Sequence, residues 1–215
     1  MSSGLCMFAS REAAGKLLAE KLREVQVTAD MVFGIARGGV VIAQEIAQAF
    51  HLPLEVLVIK KLGAPSNPEL AIGALALDSV TYIDENFARA VGADNAFIKS
   101  EVLRKHAELK KREQMFRSGK MALNPEKKRV ILADDGVATG ATVMAACMWL
   151  RQKKVQQIIL ALPVVSQETV KKLRSQVDKC VTLEEPVDLR AVGEFYKDFR
   201  EVTDEEVINI LASRN

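Results

Sequence analysis

Along the first 60 residues the apolar positions switch from helical spacing to strand spacing and back. "SREAAGKLLAEKLREV" places Ala14, Leu17, Leu18, Leu22 and Val25 at the intervals of one helix face, and Ser10 stands where an N-cap belongs. The continuous apolar run "MVFGIA" predicts a buried strand, followed by the turn "RGG" and the helical "VVIAQEIAQAF". "LEVLVIKKL", rich in β-branched residues, predicts a second strand that ends in two lysines. The alternation then loosens. "GAPSNPEL" reads as a loop and "AIGALALDSVTYI" as a hairpin, and a long, highly charged helix is predicted over residues 94–117. Strand and helix alternate again through "RVILAD", "TVMAACMWLRQ", "VQQIILALPVV", "SQETVKKLRSQ" and "DKCVTL". A last helix starts at Thr203, where "TDEE" forms a capping box closed by Glu206.

Continuous apolar strands alternating with helices predict an α/β fold, with a central, mostly parallel sheet covered by helices on both faces. Residues 1–215 read as a single domain. The segment over about 62–124 interrupts the alternation and is expected to be an insertion, a hood or lid on that domain. The sequence contains no internal repeat and no low-complexity segment.

Composition narrows the partners. A hydrophobic content of 49% in 215 residues supports one sizeable core. Thirty Lys and Arg against 28 Asp and Glu give a net charge of +2, so bulk charge does not mark a nucleic-acid binder and any phosphate affinity must be local. Cys6, Cys147 and Cys180 form no CxxC pair, which suits structural thiols in a reducing compartment and is poor material for zinc. "MSSGLCMFASREA" has no basic leader, and the longest uncharged run, 136–150, falls short of the about 20 residues that span a bilayer. A soluble, cytoplasmic protein with no membrane partner is expected.

The candidate chemistry lies in residues 129–150, "RVILADDGVATGATVMAACMWL". The strand ends in Asp134 and Asp135. Gly136, Val137, Ala138, Thr139, Gly140 and Ala141 make the turn, and Thr142 is expected to open the next helix. Ligands of open α/β sheets bind at the carboxyl ends of strands, and a helix N-terminus offers unpaired N–H groups to an anion. Gly140 would let backbone approach that anion, while Thr139 and Thr142 add hydroxyls. The loop is neither a Walker A loop, since no Lys precedes Thr142, nor GxGxxG, which argues against a plain dinucleotide-binding domain. Two carboxylates beside a phosphate repel it unless hydroxyls or a cation intervene. A ribose meets that demand, with its hydroxyls donating to the acids and its 5′-phosphate in the loop. An ordinary βα turn with an acidic N-cap would explain a bare DD pair, but not the whole run.

"VILADDGVATGATVMAA" closely resembles the phosphoribosyl diphosphate signature of type I phosphoribosyltransferases. "FGIARGGVVIAQEIA" is similar to that family's diphosphate loop and the helix after it. "KKLGAPSNPELAIGALA" and "AVGEFYKDF" are similar to a subgroup whose acceptor base is undefined. The resemblance implies transfer of the 5-phosphoribosyl group from phosphoribosyl diphosphate to a nitrogenous acceptor such as a nucleobase. It implies ribose 5-phosphate binding by residues 136–142 and diphosphate binding by Arg37, Gly38 and Gly39. Catalytic roles are expected for Asp134, Asp135, Arg37, Lys60 and Lys61. Mg²⁺ is the expected cofactor, held by Asp134 and Asp135 directly or through water, and a homodimer is expected. Strand alternation sends Lys60 and Lys61 to opposite faces without telling which one meets the diphosphate.

Other features carry less. Arg104, Lys105, Lys110, Lys111, Arg112 and Arg117 crowd the long helix, where a solvated face is the simple reading. The sharper one brings Lys111 or Arg112 to the diphosphate on lid closure. His51 and His106 are isolated, and Trp149, Phe195 and Tyr196 read as core. Hypoxanthine- and guanine-type members of the family carry an Asp where Ala138 stands, so the resemblance does not extend to 6-oxopurines. The alternative is a non-catalytic sensor of phosphoribosyl diphosphate on the same fold. The absence of a basic stripe or an RNA-stacking platform and the intact Arg-Gly-Gly loop favour chemistry.

Overall fold

The computed structural model describes residues 7–213, so Cys6 lies outside the described residues. Ser10 caps α1 (Arg11–Glu24) by accepting the Ala13 N–H at 3.3 Å. Ala14, Leu18 and Leu22 are buried as the spacing predicts, but Leu17 is 45% exposed. Gly15 and Ala19 take its place on the buried face, because α1 lies close on the next helix: a Cβ at Gly15 would sit 2.8 Å from Cβ of Glu45. β1 (Met31–Ile35), α2 (Gly38–Phe50) and β2 (Leu54–Leu57) follow. Here the sequence expectation fails. The run "LEVLVIKKL" is not one strand: it breaks at Val58 and Ile59, and Lys60 opens β3 (Lys60–Ala64) in a different sheet.

β3 pairs antiparallel with β4 (Asn67–Leu75), which pairs antiparallel with β5 (Thr81–Ile83). The expected loop "GAPSNPEL" is therefore mostly strand, turning at Pro65 and Ser66. Its Pro and Gly are accommodated by register shifts on either side of Gly63, where a Cβ would lie 2.4 Å from the Pro68 carbonyl oxygen. The expected hairpin after it is β4 and β5. α3 (Glu85–Ala90) and α4 (Asn95–Arg117) complete the segment, and Asp94 caps α4 through the Phe97 N–H at 2.8 Å.

The chain returns to the main sheet with β6 (Arg129–Ala133), α5 (Ala141–Gln152), β7 (Gln157–Val164), α6 (Gln167–Arg174) and β8 (Lys179–Glu184), and ends in α7 (Asp204–Ala212) with the predicted capping box. The sheet is wholly parallel, in the order β2-β1-β6-β7-β8. Adjacent residues of β1 point to opposite faces, and each face has its own cover. Gly34 faces α2, so closely that a Cβ would lie 2.6 Å from Cα of Val40. Phe33 faces α5 and packs edge-on against Trp149 at 5.9 Å. The small antiparallel sheet packs against α5 on that second face. Both faces of the parallel sheet are thus covered, as predicted.

The strand order places the functional loops. From β1 the chain winds through α2 to β2 on one side, and from β6 it winds through α5 to β7 on the other. β1 and β6 are neighbours whose following connections diverge, so a crevice opens at their carboxyl ends. Among the described residues no helix is long and apolar enough to cross a membrane. Burial pushes the Cys147 thiol up to about 12 and that of Cys180 to about 11, which leaves both unreactive at neutral pH.

One buried charge fastens α4 to the parallel sheet. Glu55, in the middle of β2, is 0% exposed and accepts from Nη1 of Arg117 at 3.1 Å and from the Leu123 N–H at 3.0 Å. Replacing Arg117 by Met takes the guanidinium from that buried carboxylate while leaving its N–H donors, at a cost of about 3 kcal/mol. Differential scanning calorimetry should show a melting temperature lower by on the order of 6–12 °C, and the paired change Arg117→Met with Glu55→Leu should restore part of it.

Candidate active site

At the crevice two loops meet almost without clearance. After β1 comes Arg37, preceded by a cis peptide bond from Ala36, and then Gly38 and Gly39, which already belong to the first turn of α2. After β6 come Asp134 and Asp135. A Cβ at Gly38 would lie 1.9 Å from Oδ2 of Asp135. At Gly39 it would lie 2.7 Å from the Ala133 carbonyl oxygen and 2.8 Å from Cα of Asp134. Any side chain there would occupy the space of the acidic pair. The two glycines are therefore a steric requirement of the aspartates.

The acids differ in their surroundings. Asp134 is 9% exposed, and its Oδ1 accepts the Asp135 N–H at 2.9 Å. Burial raises its pKa well above the ordinary carboxyl value and the neighbouring Asp135 charge adds to this, while Lys61 and Arg11 pull it down. Asp135 is also raised by burial, and less steeply, because Arg11 counters part of the shift through a hydrogen bond from its Nε to Oδ2 at 2.7 Å. The Asp135 carbonyl in turn accepts the Tyr196 hydroxyl at 2.6 Å.

Past the acids the chain curls into a loop suited to an anion. The Val137 N–H donates to the Val164 carbonyl at 2.9 Å, and Oγ1 of Thr169 donates to the Ala138 carbonyl at 2.6 Å, which fixes the loop's back. Gly140 is the N-cap of α5, at φ 86°, and no side chain caps the helix. Its first-turn N–H groups, which lack helical acceptors, are left to the crevice. The helix starts at Ala141, one residue before the expected Thr142. Gly140 is needed for its left-handed backbone whether or not an anion approaches, a reason the sequence did not disclose.

These loops line a cleft of about 780 Å³. Arg37, Gly38, Lys61 and residues 134–142 make its floor and one wall. The antiparallel sheet and α3 contribute residues from Glu69 to Phe87, and Val187 and Phe199 lie at its rim. The 136–142 loop, the acidic pair and Gly38 thus share one cavity.

The sequence profile of the phosphoribosyl transferase domain matches residues 9–198. The chain belongs to the phosphoribosyl transferase family. Two strains of Mycobacterium tuberculosis each carry a relative whose name assigns it provisionally to the phosphoribosyl transferases. Each is 35% identical over 205 residues, covering 95% of this chain and 46% of the relative. The chain thus spans about half the length of these relatives. The crystal structure of TT1426 from Thermus thermophilus is 38% identical, superposes with a TM-score of 0.80, and is matched over 95% of this chain and 97% of that one.

Within this family member the expected site residues divide. The cleft gathers Arg37, Gly38, Lys61, both aspartates and the whole 136–142 loop, and Gly39 lies just beneath. Lys60 is turned away and pairs with Glu108 at 3.2 Å, so Lys61 is the lysine that faces the site. The Arg37 guanidinium is ion-paired with Glu201 and reaches Asp204 at 3.6 Å. Arg112 is engaged by Asp204 at 3.1 Å, Arg104 and Lys105 by acids of their own helix, and Arg117 by the buried Glu55, so these four are ion-paired away from the cleft and Arg117 departs from the solvated-face reading. Lys111 is exposed and does not line the cleft. Sequence reasoning missed Arg11 altogether, and the role of Tyr196. Their separation from Asp135, by 124 and 61 residues, left no local signal.

The unequal acids give opposite expectations for stability. Because Asp134 has a folded pKa above 3.8, its proton supports the fold; that contribution is complete below 3.8 and is lost as pH rises through the folded value. In metal-free buffer at neutral pH, Asp134→Asn should melt higher than wild type, with the gap closing as pH falls. Asp135→Asn should melt lower, since it leaves the buried Arg11 guanidinium without its counter-charge. Thermal melts of both variants across pH 4–8 check the pair of signs.

Proposed function

We propose that the protein transfers the 5-phosphoribosyl group from phosphoribosyl diphosphate to a nitrogen of an aromatic heterocycle. The observation that carries this reading is the steric interlock of Gly38 and Gly39 with Asp134 and Asp135, at the mouth of an uncapped helix. It brings candidate elements for diphosphate, ribose diol and 5′-phosphate binding into one cleft. In this reading the 136–142 loop and the N-terminus of α5 hold the 5′-phosphate, Asp134 and Asp135 accept from the ribose hydroxyls, and Gly38 with Lys61 faces the diphosphate. Departure of diphosphate leaves positive charge on the ribose ring, which the buried carboxylates stabilise, while Lys61 offsets charge on the leaving group. The wall formed by β4, β5 and α3 excludes water from the reacting carbon, the role expected of a hood.

Mg²⁺ is the cation this chemistry calls for, and the donor set fits it only in part. Among the described residues no group of three or more His, Cys, Asp or Glu side chains could hold a metal. Asp135 already serves Arg11. Asp134 would hold the ion, with water and substrate oxygens supplying the rest, a pattern that suits this small hard cation. Bound there, it would neutralise charge on the diphosphate.

The acceptor end of the cleft has its own character. Leu70, Tyr82, Phe87 and Val187 offer apolar area, with Val187 81% exposed at the rim. The charged groups among them are mainly acidic: Glu69, Asp84 and Asp188, against a Lys172 already held by Glu168 at 2.8 Å. Such a wall repels carboxylated rings and suits neutral or amino-bearing ones.

Two measurements test the reading. Calorimetry should show phosphoribosyl diphosphate binding with Mg²⁺ and weaker binding after chelation; equal affinity would count against the site. Diphosphate release should follow addition of uncarboxylated heterocycles such as adenine, and should fail with orotate, nicotinate or quinolinate. Tight binding with no release for any acceptor would instead mark a non-catalytic sensor.

A further inference from the structure

Arg11 is 8% exposed, and its guanidinium meets Asp135, the Arg200 carbonyl and the Phe199 ring. Nε donates to Oδ2 of Asp135 at 2.7 Å, and Nη1 donates to the Arg200 carbonyl at 2.8 Å. The group lies 3.9 Å from the centre of the Phe199 ring, which lines the cleft and packs against Tyr196 at 5.0 Å. Tyr196 closes the circuit by donating to the Asp135 carbonyl. Asp135 is thus held at both its side chain and its backbone, whereas among the described residues the Asp134 carboxylate receives the Asp135 N–H and the field of Lys61 and Arg11.

We propose that Arg11 is a positioning residue for ribose recognition. It aims the Asp135 carboxylate past Gly38 and fixes the Phe199 ring beside it, so that a sugar diol meets one preset acid and one that adapts. The inference rests on the cleft being a phosphoribosyl site, and goes beyond it by making the two acids unequal and assigning the cause to a residue outside both loops. A guanidinium locked by a carboxylate, a carbonyl and an aromatic face is more directional than an ammonium, so lysine should restore only part of its effect.

The test uses ribose 5-phosphate and inorganic phosphate as calorimetric probes, with wild type, Arg11→Lys, Arg11→Met and the double variant Arg11→Met with Asp135→Asn. Arg11→Met should weaken ribose 5-phosphate by about tenfold or more, the scale of one charge-assisted hydrogen bond, and leave inorganic phosphate within about twofold. Arg11→Lys should fall between. The double variant, which removes Arg11 together with its Asp135 partner, should regain melting temperature, and Arg11→Lys, which keeps Asp135 and a cation beside it, stands in for Arg11→Met if that does not fold. Wild-type affinity for ribose 5-phosphate in Arg11→Met or the double variant would overturn the proposal. So would equal losses for both probes, which would mean general damage to the cleft. If wild type binds neither phosphoribosyl diphosphate nor ribose 5-phosphate, the phosphoribosyl reading itself falls.

Discussion

Two adjacent carboxylates, one buried and one nearly so, under a turn that cannot carry a side chain are the constraint around which this molecule is arranged. Like charges in a low-dielectric crevice repel, and each loses its water. The fold answers with Arg11 for one acid and leaves the other largely uncompensated. Gly38 and Gly39 exist because nothing larger fits above the pair. The reversal of winding direction between β1 and β6 opens the kind of place in such a sheet where two loops can share one ligand.

This arrangement sets stability against function. A neutral side chain at position 134 would relieve desolvation, and a methyl group at 38 or 39 would require the acids to move. The sequence keeps the strained option at each position. Sites that favour the bound state over the empty one are built in this way, since a ligand bringing hydroxyls or a cation supplies the missing partners.

Much of this was legible in the chain. The β/α alternation named the parallel sheet, since buried parallel strands are continuously apolar, and "ADDGVATGAT" marked the loop that lines the cleft, because acids at a strand's end followed by glycines and threonines fall at the carboxyl edge of the sheet. Other parts were not legible, for physical reasons. "LEVLVIKKL" reads as one strand because propensity is local, whereas its break at Val58 and Ile59 depends on which sheet each half joins. Leu17 keeps helical spacing yet faces outward, because the close approach of α1 to α2 favours the small Gly15 and Ala19. Alternation could not choose between Lys60 and Lys61, and the choice falls to Glu108 on a distant helix. Arg11 and Tyr196 reach Asp135 from opposite ends of the chain, where no window of sequence contains both partners.

The clip between those chain ends has a consequence for how the protein is made. Phe8 donates its N–H to the Phe195 carbonyl and accepts from the Lys197 N–H, so the first and last parts of the matched region zip together beneath the acids. A ribosome delivers Arg11 early and Tyr196 to Arg200 late, after the parallel sheet has been synthesised. Contacts of such long sequence separation close slowly. The sheet can form around its apolar strands as they emerge, but Asp135 acquires its full set of partners only when the strap at 195–200 has left the exit tunnel. A nascent chain that stops short of residue 196 carries both loops and Arg11 but lacks the Tyr196 hydroxyl, the Phe199 ring and the Arg200 carbonyl that complete the surroundings of Asp135.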